Sequence, residues 1–328
     1  EGYLSLVVHE IAKLVVKYNA IITMEDLNQG FKRGRFKVER QVYQKFETML
    51  INKLNYLVDK DLAVDQEGGL LRGYQLTYIP ESLKVLGRQC GYIFYVPAAY
   101  TSKIDPTTGF VAIFNYKGMT DKDFVTSFDS IKYDDERGLF AFEFDYENFV
   151  THKVEMARNK WTVYTYGERI KRKFKNGSWD TADKVDLTYQ MRSILEKYEI
   201  EYNKGQDILE QIEELDEKAQ NGICKEIKYL VKDIVQMRNS LPDNAAEDYD
   251  AIISPVINNN GEFFDSTRGD EDKPLDADAN GAYCIALKGL YEVMQIKKNW
   301  NEETEFPRKE LKIRHQDWFD FIQNKRYL

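Results

Sequence analysis

Two short apolar runs, AIITME at 20–25 and GYIFYV at 91–96, do most to limit what this chain can fold into. Each is rich in β-branched or aromatic residues and too short for a helix, so each reads as a buried strand. Helical spacing surrounds them. Leu4, Val7, Val8, Ile11, Leu14 and Val15 form one stripe over 3–18, with Asn19 as the stop. Val42, Phe46, Met49, Leu50, Leu54 and Leu57 form another over about 36–58, and ESLKVLGRQ (81–89) reads as a short helix. Residues 1–97 are therefore expected to make a compact α/β unit.

The texture changes after Pro97. FVAIFNY, GLFAFEFDY and WTVYTY are aromatic and alternating, which predicts short antiparallel strands within 98–190. Residues 191–237 read as helical. Residues 238–275, with three prolines and the turn NNNGEF, read mostly as loop. DADANGAYCIALKGLYEVMQ (276–295) returns to a helix, and a last short helix is expected over 315–325. The simplest organisation is one α/β domain in two pieces, 1–97 and 276–328, interrupted by an inserted α+β domain at 98–275.

Composition excludes several classes. Among 328 residues, 43% are hydrophobic and 31% charged, a globular balance. No apolar run reaches the length of a membrane span, and EGYLSLVVHEIAKL lacks a secretory signal's basic start and cleavage site. Cys90, Cys224 and Cys284 are odd in number and far apart, which fits a reducing cytosol better than a disulfide framework. The three histidines, His9, His152 and His315, are isolated, so zinc hydrolase chemistry is not indicated. Walker, GxSxG and GxGxxG motifs are absent.

The net charge of −9 is unevenly spread. Residues 243–278 carry eleven acids and two bases; FKRGRFKVERQVYQK (31–45) carries six bases and one acid; residues 153–175 carry eight bases and two acids. Most charge runs are solvated faces. The sharper alternative is a pair of basic surfaces for a polyanion beside an acidic, metal-binding pocket. Lys32, Arg33, Arg35 and Lys37 in the first stretch, with Lys103 further on, are the candidate phosphate contacts.

Four residues are candidates for chemistry. Glu25 closes the first strand, where a carboxylate faces the mouth of an α/β sheet; burial without a partner is costly and calls for a metal ion or an Arg. Capping of the following turn is the plainer reading. Asp278 sits in the first turn behind Asp276, a natural N-cap, and its small neighbours Ala279, Gly281 and Ala282 allow close approach of backbone or ligand. Acids from distant segments converging on a hard cation suit magnesium. Arg238, in QMRNS, is either a cation at a helix C-terminus or a guanidinium that stabilises a phosphate, and Asp248 downstream could orient it.

The strings IAKLVVKYNAIITMEDLNQGFKRGRFKVERQVYQKFETMLINKLNYLV, GYIFYVPAAYTSKIDPTTGFV, QMRNS, ISPV, GEFFDS and DADANGAYCIALKGL occur in order, and on them the chain closely resembles the type V-A CRISPR effector nucleases (the Cas-twelve-a, or Cpf-one, family). The resemblance spans nearly the whole chain and is weakest over about 110–235. It implies an RNase H-like RuvC fold, incomplete here, with 1–97 as its second segment and preceding helix, 98–275 as an inserted Nuc domain, and 276–328 as its third segment. It implies Glu25 and Asp278 as ligands of Mg2+ (Mn2+ as a substitute), and Arg238 and Asp248 as Nuc residues of the site. Guide CRISPR RNA, target DNA, single-stranded DNA and the N-terminal remainder of the effector are the implied partners, with no membrane, in a bacterial cytoplasm. Two departures stand out: Cys284 where the family often has His, and no DRG-type motif to provide the third acid of the metal site. The expectation is a C-terminal nuclease portion, inactive by itself, whose sheet lacks its early strands and leaves an edge prone to association.

Basic stretches 31–45 and 153–175 would follow a phosphate backbone, and Tyr100, Trp161 and Trp179 are candidates for stacking on unpaired bases. The competing reading is a non-catalytic module that binds and loads single-stranded DNA, for which Glu25 and Asp278 would be unnecessary.

Overall fold

The computed structural model describes residues 2–26, 37–77, 91–114, 116–149, 157–175, 178–241, 249–269, 272–299 and 313–324. It is a mixed α/β structure in two compact units: residues 1–99 with 285–313, and residues 100–284 with 314–328.

The first unit opens with helix α1, Gly2–Tyr18, which buries Val8, Ala12 and Val15 along one stripe. Asn19 ends it as the sequence predicts. Its φ of 47° is left-handed, and the amides of Asn19 and Ala20 return to the carbonyls of Val16 and Val15, closing the last turn. Strand β1, Ile22–Glu25, follows, then helix α2, Lys37–Asn55, and strand β2, Ile93–Val96. The two strands pair in parallel, Ile22 opposite Ile93 and Glu25 opposite Val96. Met24, Ile93 and Tyr95 from the sheet pack with Leu50, Ile51 and Leu54 of α2 and the buried stripe of α1. This core is what a parallel strand pair needs, since neither of its faces can stay in water. The helix expected over 81–89 lies outside the described residues.

The second unit begins with helix α3, Asp121–Thr126, capped by the Thr120 hydroxyl, and the sheet β3 (Ser130–Asp134), β4 (Leu139–Asp145) and β5 (Lys160–Tyr164). These strands are antiparallel in the order β3-β4-β5. GLFAFEFDY and WTVYTY thus become strands as their alternation predicts, with Phe140, Phe142 and Phe144 turned inward. FVAIFNY does not. Among its described residues only Val111 makes a bridge, to Ile104, while Phe114 packs into an aromatic cluster with Phe124, Phe144 and Phe149. Aromatic density there reflects packing into a core and not a ladder. Trp161 is also core, 3% exposed, its indole N–H donated to the Arg158 carbonyl, so it is no platform for a base. The Trp179 side chain lies outside the described residues, and Tyr100 packs edge-on to His315 and Phe319.

The hairpin β6 (Glu168–Lys175) and β7 (Ser178–Asp186) leads to helices α4 (Leu187–Lys197), α5 (Ile208–Glu213) and α6 (Glu217–Ile234). Asp186, Asp207 and Asp216 cap the three helices at their N-termini. The stretch read as loop instead holds a second antiparallel sheet: β8 (Arg238–Ser240), β9 (Asp250–Ile257) and β10 (Phe263–Asp265), ordered β10-β9-β8. DAIISPVI hides its strand character because Ala251 to Val256 are all buried, so no polar alternation marks it. Pro255 is tolerated because β8 pairs only with Asp250, Ala251 and Ile252 and needs no amide from it. Helix α7, Ala277–Asn299, follows; the chain passes from the second unit to the first at Ile285 within it. Helix α8, His315–Gln323, closes the described chain, burying Trp318, Phe319, Phe321 and Ile322 in the second unit.

Candidate active-site residues

Glu25 is held where the sequence places it, at the end of β1. The ladder continues one residue past it, the Asp26 amide donating to the Val96 carbonyl at 2.8 Å, so the strand end is fixed. The Glu25 side chain is half-buried and makes no hydrogen bond or ion pair with any described residue. The Tyr43 hydroxyl reaches only its backbone carbonyl, at 3.5 Å. Burial, then the negative charge of Glu47, Glu25 and Asp26, holds the Tyr43 phenol well above its ordinary ionisation range, so it stays a neutral donor. A half-buried carboxylate without a partner is the arrangement that a cation would complete.

The local anchor of this strand end is helix α7. Its Lys288 is 2% exposed and donates to the carbonyls of Pro97 and Ala99 at 2.8 and 2.5 Å, tying down the segment after β2. One residue on, Gly289 faces Thr23 of β1, and a Cβ at that position would collide with three atoms of the Thr23 side chain. The tight approach expected around Asp278 is found at Gly289. At Gly281 a Cβ would meet Ser102 at an ordinary 3.9 Å.

The second unit gathers Arg238, Asp250 and Asp278. Arg238 does not end a helix: α6 stops at Ile234, and Arg238 opens β8. QMRNS alternates, with Met237 and Asn239 at 1% exposure and Arg238 and Ser240 on the opposite, half-exposed face. Pairing of Ser240 with Asp250 in the antiparallel register sets the Asp250 carboxylate diagonally across from Arg238. Nε and Nη2 of Arg238 donate to its two oxygens at 3.2 and 3.3 Å, a fork-to-fork contact, and the Ser240 hydroxyl also donates to it. Nη2 further pairs with Asp278 at 3.0 Å, and the Asp278 amide donates to Asp250 at 3.2 Å. Nη1 hydrogen-bonds to no described residue.

Asp276 caps α7 as predicted, accepting from the Ala279 amide at 2.6 Å. That leaves Asp278 in the first turn with its side chain 80% exposed, one oxygen on Arg238 and the rest facing solvent. Asn280 is fully buried and donates to the Ile104 carbonyl at 2.9 Å, fixing the start of α7 against the loop that carries Lys103. Asp105 stiffens that loop: buried, it accepts from Thr107, Thr108 and Ser254.

Asp250 is the residue the sequence reading misses. Asp248, two positions earlier, lies outside the described residues; the partner of Arg238 seen in the structure is Asp250. The pairing of Asp250 with Arg238 follows from strand register, which nothing local in the sequence reveals. Lys32, Arg33 and Arg35 also lie outside the described residues, and Lys37 is described only as the first residue of α2. Lys103 is exposed, as a phosphate contact should be. Within 153–175, Arg169 is not: it is 1% exposed and spends its Nη atoms on the carbonyls of Tyr166, Glu168, Ile234 and Ile253. Burial pulls its pKa down to about 10, so it stays charged at neutral pH as a clamp between β6, the end of α6 and β9.

The candidate donors are all carboxylate oxygens, which suit a hard divalent cation. Among the described residues no group of three or more His, Cys, Asp or Glu is gathered as a metal site. The two described cysteines do not support nucleophile chemistry either: Cys224 and Cys284 are buried, and burial pushes the Cys224 thiol up to about 11. Among the described residues no helix is long and apolar enough to cross a membrane. A strand-end carboxylate that no described residue pairs, and an arginine beside an exposed aspartate, are groups that hydrolysis of a phosphodiester would use. A family model described as the RuvC nuclease domain matches residues 1–327, and this chain belongs to the RuvC nuclease family.

Proposed function

We propose that this RuvC nuclease is the nuclease portion of an RNA-guided DNA endonuclease of the type V-A CRISPR kind, with 1–97 and 276–328 as RuvC segments and 98–275 as the inserted Nuc domain. The observation that carries the reading is Glu25, a half-buried carboxylate at a strand end with no described partner. Glu25 and Asp278 are the residues that would hold Mg2+ or Mn2+, which when bound supplies an activated water and neutralises the leaving oxygen.

The other roles belong to the chain's own residues. Arg238 presents Nη1 to a phosphate while Asp250 holds the guanidinium plane, so the cation is aimed before substrate arrives. Lys103, on the loop stiffened by Asp105, contacts the strand's backbone. Guide RNA pairs with target DNA, the strands enter single-stranded, and the remainder of the effector supplies guide recognition. The setting is the bacterial cytoplasm.

One observation favours the second reading, a module that binds and loads single-stranded DNA: Arg238 already pairs with both Asp250 and Asp278. Divalent-ion binding decides. Titration with Mn2+ should show binding that is lost in Glu25→Ala and in Asp278→Ala, with Mg2+-dependent cleavage of labelled single-stranded DNA by the intact effector lost in parallel. Unchanged ion binding in both variants would sink the nuclease assignment of these two residues and favour the binding module.

A further inference from the structure

Beside Arg238, within the second unit, lies an open cleft of about 840 Å3. Its walls come from four places in the sequence: the loop bearing Lys103, Tyr116, the start of β6 with Lys171, and the last turns of α6 with Tyr229 and Lys232. Four cations line it, Lys103, Lys171, Lys232 and Arg238, together with the carboxylate of Asp233, while Arg238 is paired with Asp250 and Asp278. Asp233 is taken by Lys171 at 2.7 Å. Lys232 pairs with no described carboxylate; its ammonium stands 4.5 Å from the Tyr229 ring centre and 5.2 Å from that of Tyr116.

Two further features point to a ligand. The Tyr116 hydroxyl is buried and has no hydrogen-bond partner among the described residues. Tyr229 is 55% exposed, so one ring face is open beside an ammonium. Two ammonium groups, Lys103 and Lys232, that pair with no described carboxylate, an unused hydroxyl and an open aromatic face match a phosphodiester with an unpaired base. A paired base has both faces covered by its neighbours in the duplex and offers nothing to Tyr229.

We propose that this cleft is a binding track for single-stranded DNA, in which Lys171 and Lys232 contact successive phosphates, Tyr229 stacks on a base, and the strand is led to Nη1 of Arg238. The proposal rests on the nuclease reading for the identity of the polymer, and the cleft's own chemistry for the rest. Lys171, Lys232 and Tyr229 are positioning residues.

The test is equilibrium binding of a fluorescein-labelled oligothymidylate to the 328-residue chain in EDTA, by anisotropy across a salt series. Lys171→Gln and Lys232→Gln should each weaken binding and flatten the plot of log K against log salt by about 0.7. Tyr229→Ala should weaken binding roughly tenfold with the slope unchanged. Asp233→Asn, which removes the carboxylate that lines the cleft and frees Lys171, should strengthen binding, a change no misfolded variant produces. Wild-type affinity and slope in both Lys232→Gln and Tyr229→Ala would overturn the proposal, as would duplex DNA bound as tightly through the same residues. Because cleavage is not read, failure here leaves the Glu25 and Asp278 assignment standing, and loss of that assignment with these binding effects intact leaves the cleft standing.

Discussion

At the scale of single residues, Arg238 is the most exacting position. Its guanidinium bridges two carboxylates at once, Asp250 through a fork and Asp278 through Nη2, and leaves Nη1 without a hydrogen bond to any described residue. A lysine carries the same charge as a single point and cannot span both acids while donating to a third group. Under the proposed function, Arg238→Lys should therefore lower single-turnover cleavage of single-stranded DNA by about 10²-fold or more. Its denaturation midpoint should move little, since the side chain is 36% exposed and the ion pairs are solvent-screened. Equal cleavage rates for Arg and Lys would show that only charge matters there. Asp278→Ala, at an 80% exposed side chain, should change folding stability by less than about 0.5 kcal/mol, so any loss of ion binding in that variant is local.

Among the elements, helix α7 has the largest task, because it packs on the strand that carries Glu25. Gly289 sets how closely it lies on β1. Gly289→Ala gains about 1 kcal/mol of helix propensity. It also drives a methyl group into Thr23, which is held in a paired strand and cannot retreat; overpacking of this kind costs about 1–3 kcal/mol. The clash should win. The expected result is a lower urea midpoint together with weaker Mn2+ binding, since the strand moves as a unit with Glu25; a midpoint at or above wild type would mean that the helix shifts freely. In the second unit the same logic applies to β8. Arg169 clamps the carbonyl of Ile234 at the end of α6 and that of Ile253 on β9, and Asn239 accepts from the Ile170 amide at 3.1 Å. Together they fix the register that brings Asp250 to Arg238.

At the scale of the whole molecule, two features bear on solution behaviour. The first unit's described sheet has only two strands, and a pair of that size contributes little stability without its helices. Helix α1 also presents apolar residues to water: Tyr3 is 78% exposed, Leu6 66% and Tyr18 64%. Exposed apolar side chains of this size promote association. Light scattering should show concentration-dependent self-association of the 328-residue chain, reduced in a Leu6→Glu, Tyr3→Glu variant. A monodisperse monomer at high concentration would contradict this.

Much of the fold is legible in the sequence because its signals are local. The helical stripes of α1, α2 and α7, the Asn19 stop, the Asp276 cap and the apolar run ending in Glu25 each depend on neighbours within a few residues. The failures share a cause. DAIISPVI is buried along its length and so shows no alternation, and FVAIFNY alternates because its aromatic rings fill a core. The candidate site divides the same way. Glu25, Arg238 and Asp278 can be picked out from their strings, since the kinds of residue that bind cations and phosphates are visible one at a time. The partner of Arg238 cannot. Asp250 meets it because β8 and β9 pair in one register and α7 starts against the loop after Ala99, and those are long-range choices made by packing. The cleft is built likewise from Lys103, Tyr116, Lys171 and Lys232, residues far apart in the chain whose shared wall exists only once the core beneath them has formed.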